Sequence, residues 1–488
     1  MKLKSQRALI VILLMPFVYS CSSYNSLMSD YSANLKNASF VHAIGNIEQN
    51  KLLKKQRNKL LYNFELGRLY YLTNNETLSN QYLNEADDML ESNYKSVKEV
   101  ALSNLTNPMM ENYRGEEFEY FMLNFYKAIN YLSLGKTDES VVEARRITLS
   151  NDRLSVKKKD NENKYYQDAF ALNLQGMIYE SAGDYNNAFI SYRNAYNVYS
   201  QAGGAYFGVS VPQQLKKDLL NTASKMGFDE DEEKYRTLFN EKLDTSNKEN
   251  GELILFMEEG NAPVKEENKI TIFNAPLQRS WQYRDSYGNA HDCNFNNPQF
   301  LVSASKLSDL SYFTIALPYY KLVTFNQLSK TILLNEKTFQ PELIQNLNTL
   351  AVDVLKEHFI NDLTKASIRF VTKRLMEKGV SSLTEKIAEG TSSKNNNQSK
   401  GVSDKQSTEK DSNAKLIGQT AGLIANIANN ITEKADTRSW LSLPAYISYI
   451  RVPLQAGENN ISIQYNGKTT SLKVESKKGL QIRSVYLR

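Results

Sequence analysis

Apolar and polar positions change their spacing several times along the chain, and each change marks an element. Residues 8–18, ALIVILLMPFV, are an unbroken apolar run. From 25 to about 245, apolar residues recur every three to four positions, and only Pro108 and Pro212 interrupt them. That spacing predicts amphipathic helices. From about 251 the runs shorten. GELILFMEEGNAPVK, NKITIFNAP and LSYFTIALPYYK are apolar or alternating, and Gly, Pro and Asn break them, as strands and turns require. Residues 341–390 return to helical spacing. Residues 391–413, TSSKNNNQSKGVSDKQSTEKDSN, have almost nothing to bury and predict a disordered linker. A helix follows with small residues at Gly418, Ala421, Gly422, Ala425 and Ala428. Its asparagines, Asn426, Asn429 and Asn430, argue against a membrane span. The C-terminal stretch reads as strands, with Asn466-Gly467 a hairpin turn.

The helical part carries a repeat. In ALNLQGMIYESAGDYNNAFISYRNAYNVYS, Tyr179, Ala188, Tyr192 and Ala195 stand 3, 12, 16 and 19 residues after Gly176. This resembles the tetratricopeptide repeat, a helix–turn–helix unit of about 34 residues. Small residues sit where the two helices cross, tyrosines fill the space between them, and Gly183-Asp184 makes the turn. Gly67, Tyr70, Ser79, Leu83 and Ala86 repeat the offsets, as do Ala128, Tyr131, Ser140, Ala144 and Ile147. The copies begin 61 and 48 residues apart, so further helices or loops lie between them. Residues 151–164, NDRLSVKKKDNENK, read as one such loop. Stacked repeats form a concave surface suited to a protein segment. Tyrosines such as Tyr62, Tyr71, Tyr113, Tyr126 and Tyr165 are either anchors in that groove or core packing. Gly115 and the acids Glu116, Glu117 and Glu119 suit a helix N-terminus.

The expected fold class is α+β: an N-terminal α-solenoid of tetratricopeptide-like repeats, then a β-sandwich-like domain with a helical insertion. The expected boundaries are a lipoprotein signal peptide at 1–20, a lipidated N-terminus and tether at 21–45, and the repeat domain at 46–245. Strands at 251–335, a helical insertion at 336–390, the linker at 391–413, a helix at 414–436 and strands at 437–488 complete the chain. One sandwich interrupted by helices is the economical arrangement; separate β units are the alternative.

The N-terminus adds an address. Lys2, Lys4 and Arg7 precede the apolar run, which is too short for the roughly 20 residues of a membrane-spanning helix. A basic start, a short apolar stretch and the small residue Ser20 describe a secretory signal. Val18-Tyr19-Ser20-Cys21 resembles a bacterial lipobox, in which the cysteine is acylated and becomes the first residue. An ordinary signal with an incidental cysteine is the alternative. Three acyl chains would anchor the protein stably, and Ser22 favours the outer membrane over the inner. After removal of residues 1–20 the chain has 56 basic and 54 acidic residues. That balance gives no electrostatic case for nucleic acid. One cysteine then remains, Cys293, so no intramolecular disulfide is expected.

Catalytic and metal motifs are absent. His42, His291 and His358 are far apart, and no GxSxG, P-loop, HExxH or GxGxxG context occurs. His291-Asp292-Cys293 could be read as a thiol with its base, but neighbours on a strand face opposite ways. No cofactor is expected.

Several blocks together resemble a family of bacterial outer-membrane lipoproteins with a repeat-like N-terminal half and a β-containing C-terminal half. The blocks are the lipobox at Cys21, YRGEEFEYFMLNFYKAINYL, GDYNNAFISYRNAY, and ADTRSWLSLPAYISYIRVPLQAGENNISI at 435–463. In the last, Arg438, Trp440, Leu443, Pro444 and Arg451 fit the family's pattern. The resemblance implies a role in envelope maintenance; together with the repeats and the lipobox, the expected function is a lipid-anchored scaffold, facing the periplasm or the surface, that binds envelope proteins in cell-envelope assembly or maintenance. Trp440, Arg438 and Pro444 are candidate docking or domain-joining residues, or Trp440 is a core residue. Two other readings stay open. One is a sugar- or peptidoglycan-binding module with Trp440 or Trp281 as its platform. The other is a hydrolase or thiol enzyme centred on Cys293.

Overall fold

The computed structural model describes residues 24–93, 108–158, 165–244, 248–275, 280–285, 288–293, 311–321, 330–377 and 434–488. Cys21, the signal peptide at 1–20, the linker at 391–413 and nearly all of the helix expected at 414–436 lie outside the described residues.

The helical half begins with α1 (Tyr24–Leu27), α2 (Ser29–Lys36) and α3 (Phe40–Gln49). It continues with the pairs α4 (Lys59–Leu72) and α5 (Glu76–Asn93), α6 (Glu117–Ser133) and α7 (Thr137–Lys158), and α8 (Ala169–Ser181) and α9 (Tyr185–Gln201). After a small hairpin, β1 (Ala205–Tyr206) and β2 (Val209–Ser210), α10 (Gln213–Lys225) and α11 (Asp229–Phe239) add a further pair. The glycines explain how close the paired helices lie. A Cβ on Gly67 would sit 2.4 Å from Leu83 Cδ2, and one on Gly176 would sit 2.4 Å from the Tyr192 ring. Ala86, Ala128, Ala188 and Ala195 are fully buried, as is Tyr192. Tyr179 is nearly so, whereas Tyr70 and Tyr131 are half-buried. Gly183 turns at positive φ, and the Asp184 carboxylate accepts from the Asn187 amide to start α9.

Among the described residues the β half has three sheets. β10 (Glu342–Asn346), β11 (Tyr446–Pro453), β3 (Glu252–Glu259) and β14 (Leu480–Leu487) form the central one, antiparallel except for the parallel pair β3–β14. β13 (Lys468–Glu475), β12 (Glu458–Tyr465), β8 (Lys330–Leu334) and β9 (Lys337–Phe339) form the second. Leu253, Leu255 and Met257 of β3 pack against Ile332, Ile461 and Ile463, which makes these two sheets a sandwich. The alternate residues Ile254 and Phe256 join the core of the helical half. β3 is therefore buried on both faces, and each face carries its own core. β6 (Ala290–Asp292), β5 (Ser280–Arg284), β4 (Val264–Ala275) and β7 (Tyr312–Lys321) form the third sheet. It packs on the long helix α12 (Leu347–Glu377) through Ile272, Phe313, Ile315, Leu363 and Val371.

The chain is α+β, a tetratricopeptide-like helical region followed by sheets with a helical insertion. Four expectations need correction. Residues 24–45 are not a polar tether, because Tyr24, Met28, Tyr31, Leu35, Phe40 and Ala43 recur at helical spacing and are buried. Residues 151–158 are not a loop: they extend α7, and the buried Asn151 accepts from the Asp168 amide at 2.8 Å. The helical insertion starts at 347, since 342–346 pairs with β11. The strands between 264 and 321 build the separate third sheet, so 251–335 does not belong wholly to the sandwich.

Candidate functional site

The inward helices of the repeats, α4, α6 and α8, are buried almost throughout. What covers them is the chain's own C-terminal part. Just before β11, residues 434–445 run without regular structure along α4 and α6. This strap lies on the inner helices, the face that stacked repeats usually offer to a partner.

Its chemistry is specific. The Trp440 indole stacks on Phe64 at 4.3 Å between ring centres and meets Tyr126 edge-on at 5.8 Å. A strap without regular structure leaves backbone N–H groups that need acceptors when buried, and two helix glutamates supply them. Glu119 accepts from the Trp440 amide at 2.9 Å. Glu65 accepts from the Leu441 amide at 2.7 Å, the Ser442 amide and hydroxyl at 3.2 and 2.6 Å, and the Tyr31 hydroxyl at 2.5 Å. Glu119 also accepts from the Glu116 amide and completes a capping box, so the acidic start of α6 is a helix start that reaches across to the strap. Burial pushes both carboxyls up to about 7, against the pull of these bonds. Arg438 spreads its guanidinium over the Asn58 side chain at 2.7 Å and the carbonyls of Glu111 and Pro108 at 3.0 and 3.1 Å. Asp436 pairs with it at 2.6 Å.

Buried charge also joins the helices to the central sheet. β3 ends in two glutamates, and strand alternation sends one to each face. Glu258 turns to the helices and pairs with Arg68 at 2.7 Å. Tyr71, Tyr126 and Ser484 donate to the same carboxylate. Glu259 turns to the second sheet and pairs with Lys330 at 2.5 Å. Arg451 of β11 meets Glu180 of α8 at 2.7 Å, Asp218 of α10 at 2.9 Å and Glu252 of β3 at 2.6 Å. Burial raises Asp218 although Arg451 opposes it. Breaking such a pair is expensive because it strands a buried charge.

Trp440, Arg438 and Pro444 are therefore buried. They cannot dock an outside partner while the strap is in place; their docking is intramolecular. Trp440, at 1% exposure, cannot offer a ring face to a sugar. Trp281 packs against the core between the third sheet and α12, beside Phe313. Cys293 is buried in that core as well, and burial pushes its thiol up to about 12. The nucleophilic thiolate is then essentially missing at neutral pH. His291 bonds to Asp285 at 2.9 Å. Among the described residues, no group of His, Cys, Asp and Glu could hold a metal, and no helix is long and apolar enough to cross a membrane.

The outer helices α5 and α7, together with α6, border a groove made of two hollows of about 60 and 260 Å³ that share Asp87 and Arg146. Lys127, buried beneath, holds Asp87 at 2.5 Å and Glu143 at 3.0 Å. Arg146 bridges Asp87 and Glu91 at the surface. Val142 and Leu149 flank it on α7, 45% and 55% exposed. Sequence reasoning missed Glu65, Arg68 and Glu258. The available signal was charge inside apolar stretches, FELGRLYY and ELILFMEE, where a buried partner is required.

No family model matches the sequence, and no curated protein matches it significantly. Solved structures with weak similarity to it include two Rap proteins. The apo form of RapI is 13% identical, with 44% of this chain and 69% of that chain covered and a TM-score of 0.31. A Rap protein complexed with competence and sporulation factor is 16% identical, with 44% and 52% covered and a TM-score of 0.27. Similarity this low carries no inference about activity or partners.

Proposed function

We propose that the chain is a lipid-anchored scaffold of the bacterial outer membrane that holds a protein partner in cell-envelope assembly or maintenance. Cys21 supplies the anchor, and the outer groove between α5 and α7 supplies the docking surface. One observation carries the protein-binding part. The strap covers the inner helices α4 and α6, while Val142 and Leu149 of α7 stay exposed beside a charged groove. Val142 and Leu149 supply apolar contact area, and Asp87, Glu91 and Arg146 the polar surroundings, that a protein segment would meet. The scaffold has no catalytic step of its own. The lipobox and the family resemblance support the envelope location.

The test is crosslinking in intact cells with mass spectrometry, on the wild type and on a Val142→Asp/Leu149→Asp variant. The proposal predicts reproducible envelope partners that the double variant loses while its fold and abundance stay normal. An unchanged partner set would overturn the outer groove as the docking site. Unchanged membrane fractionation and processing on Cys21→Ser would overturn the anchor.

A further inference from the structure

The turn between α3 and α4 presents an unusual charge run. Residues 51–59 read KLLKKQRNK, five bases and no acid. Asn50 builds this turn: its Oδ1 accepts from the amides of Leu52 and Leu53 at 2.9 and 3.1 Å. Leu53 is buried to the last atom, so the turn is pinned and cannot fold its lysines inward. Lys51, Lys54 and Lys55 point to solvent. Among the described residues none of the three is ion-paired.

The same turn touches the start of the folded body. The Asn50 side-chain Nδ2 donates to Met28 Sδ at 3.4 Å, and Leu27 beside it is half-exposed. Residues 24–59 carry six bases and two acids, Asp30 and Glu48, a net +4. Residues 21–488 total 56 bases and 54 acids, so 60–488 is left at −2. The excess positive charge is thus concentrated toward the N-terminal end of the chain.

That end is also where an anchor at Cys21 would emerge. Tyr24 is already buried in the core, and three residues span at most roughly 10 Å. This part of the argument rests on the anchor reading above. With so short a lead, the body sits directly on the bilayer, and the face around Lys51 lies within about a Debye length of the headgroups. We infer that the α1–α2 junction and the 51–55 turn form a membrane-seating face that binds anionic phospholipid headgroups, with Lys51, Lys54 and Lys55 as the contacts and Leu27 at the interface. The acyl anchor then sets the distance and the lysines set the orientation, which turns the outer groove to a fixed angle from the membrane.

The test separates this face from the anchor. Full mature chain carrying Cys21→Ser, and so without acyl chains, is sedimented with phosphatidylglycerol vesicles and with phosphatidylcholine vesicles. The inference predicts binding to the first, weakened by salt, and no binding to the second. Lys51→Gln/Lys54→Gln/Lys55→Gln should lower the affinity on the order of a hundredfold. Lys321→Gln/Lys356→Gln/Lys473→Gln, which removes exposed lysines elsewhere, should leave it unchanged. Equal binding to both vesicles, no binding to either, or an unaffected 51/54/55 variant overturns the inference. Acylation itself is read separately, from the mass of the N-terminal peptide of the wild-type protein, so the two readings fail independently.

Discussion

If the strap joins the two halves, removing its anchor should weaken the helices and not only the sheet beside it. Trp440→Ala is the cleanest perturbation. The side chain is fully buried, stacked on Phe64 of α4 and edge-on to Tyr126 of α6. Truncating a buried Trp or Phe to Ala costs about 3–5 kcal/mol. The aromatic pairs contribute roughly 0.5–1.5 kcal/mol beyond buried area. The lost indole bond leaves no orphan, because the Ser442 hydroxyl still donates to Glu65. We therefore expect a loss near the top of that range, about 4–5 kcal/mol. Urea unfolding followed by far-ultraviolet circular dichroism reads the helices. Fluorescence comes from both tryptophans in the wild type and from Trp281 alone in the variant, where it reads the third sheet. In the wild type the two signals should move together. In the variant the helical transition should shift to lower urea by the amount above. A helical loss below about 1 kcal/mol, where surface substitutions fall, would refute the joining role of the strap.

Other consequences follow from the same contacts. Arg451→Met leaves the buried Glu180 and Asp218 without their paired cation, while Glu252 keeps Lys248 at 2.9 Å, and should destabilise by about 3–5 kcal/mol in urea titration. Gly176→Ala pushes a methyl into the Tyr192 ring, whose hydroxyl is tied to Glu180 at 2.8 Å. It should cost about 1–3 kcal/mol, more than Gly67→Ala, where the flexible Leu83 can turn aside; equal losses would count against the close crossing at Gly176. Glu65 and Glu119 have folded carboxyls raised from the usual 4.5 to about 7. The folded state therefore holds these protons more tightly than the unfolded chain. The stabilisation is complete below about pH 4.5 and is lost as pH rises through about 7, by a few kcal/mol per group. Urea midpoints should fall over that window, and Glu119→Gln should flatten the fall; a midpoint that climbs with pH would contradict the assignment.

The helical pairs could be read from the chain because close crossings demand small residues at fixed offsets, as at Gly176, Ala188 and Ala195. The hairpin at Asn466-Gly467 was equally legible: both residues adopt positive φ, and Tyr465 pairs with Lys468 across the turn. Other features depend on tertiary partners. The serines and asparagines of 24–45 hide six buried positions that matter only because a core lies beneath them. PELIQN at 341–346 is too short for periodicity to separate strand from helix, and pairing with β11 decides it. Trp440 was visible as a candidate, but whether it faces outward or inward depends on Glu65 and Glu119, more than 300 residues away in sequence. The fold class was thus legible, whereas the identity of the surface left free for a partner was not.

The central claim is that the strap fills the inner face of the repeats and leaves partners to the outer groove. A photo-crosslinking residue placed in living cells at Phe64, and separately at Leu149, tests it most directly. The account predicts that the Phe64 probe crosslinks within the chain, to residues 438–443, and that the Leu149 probe crosslinks to an envelope protein. A Phe64 probe that captures another protein in place of the strap, with Leu149 silent, would contradict it.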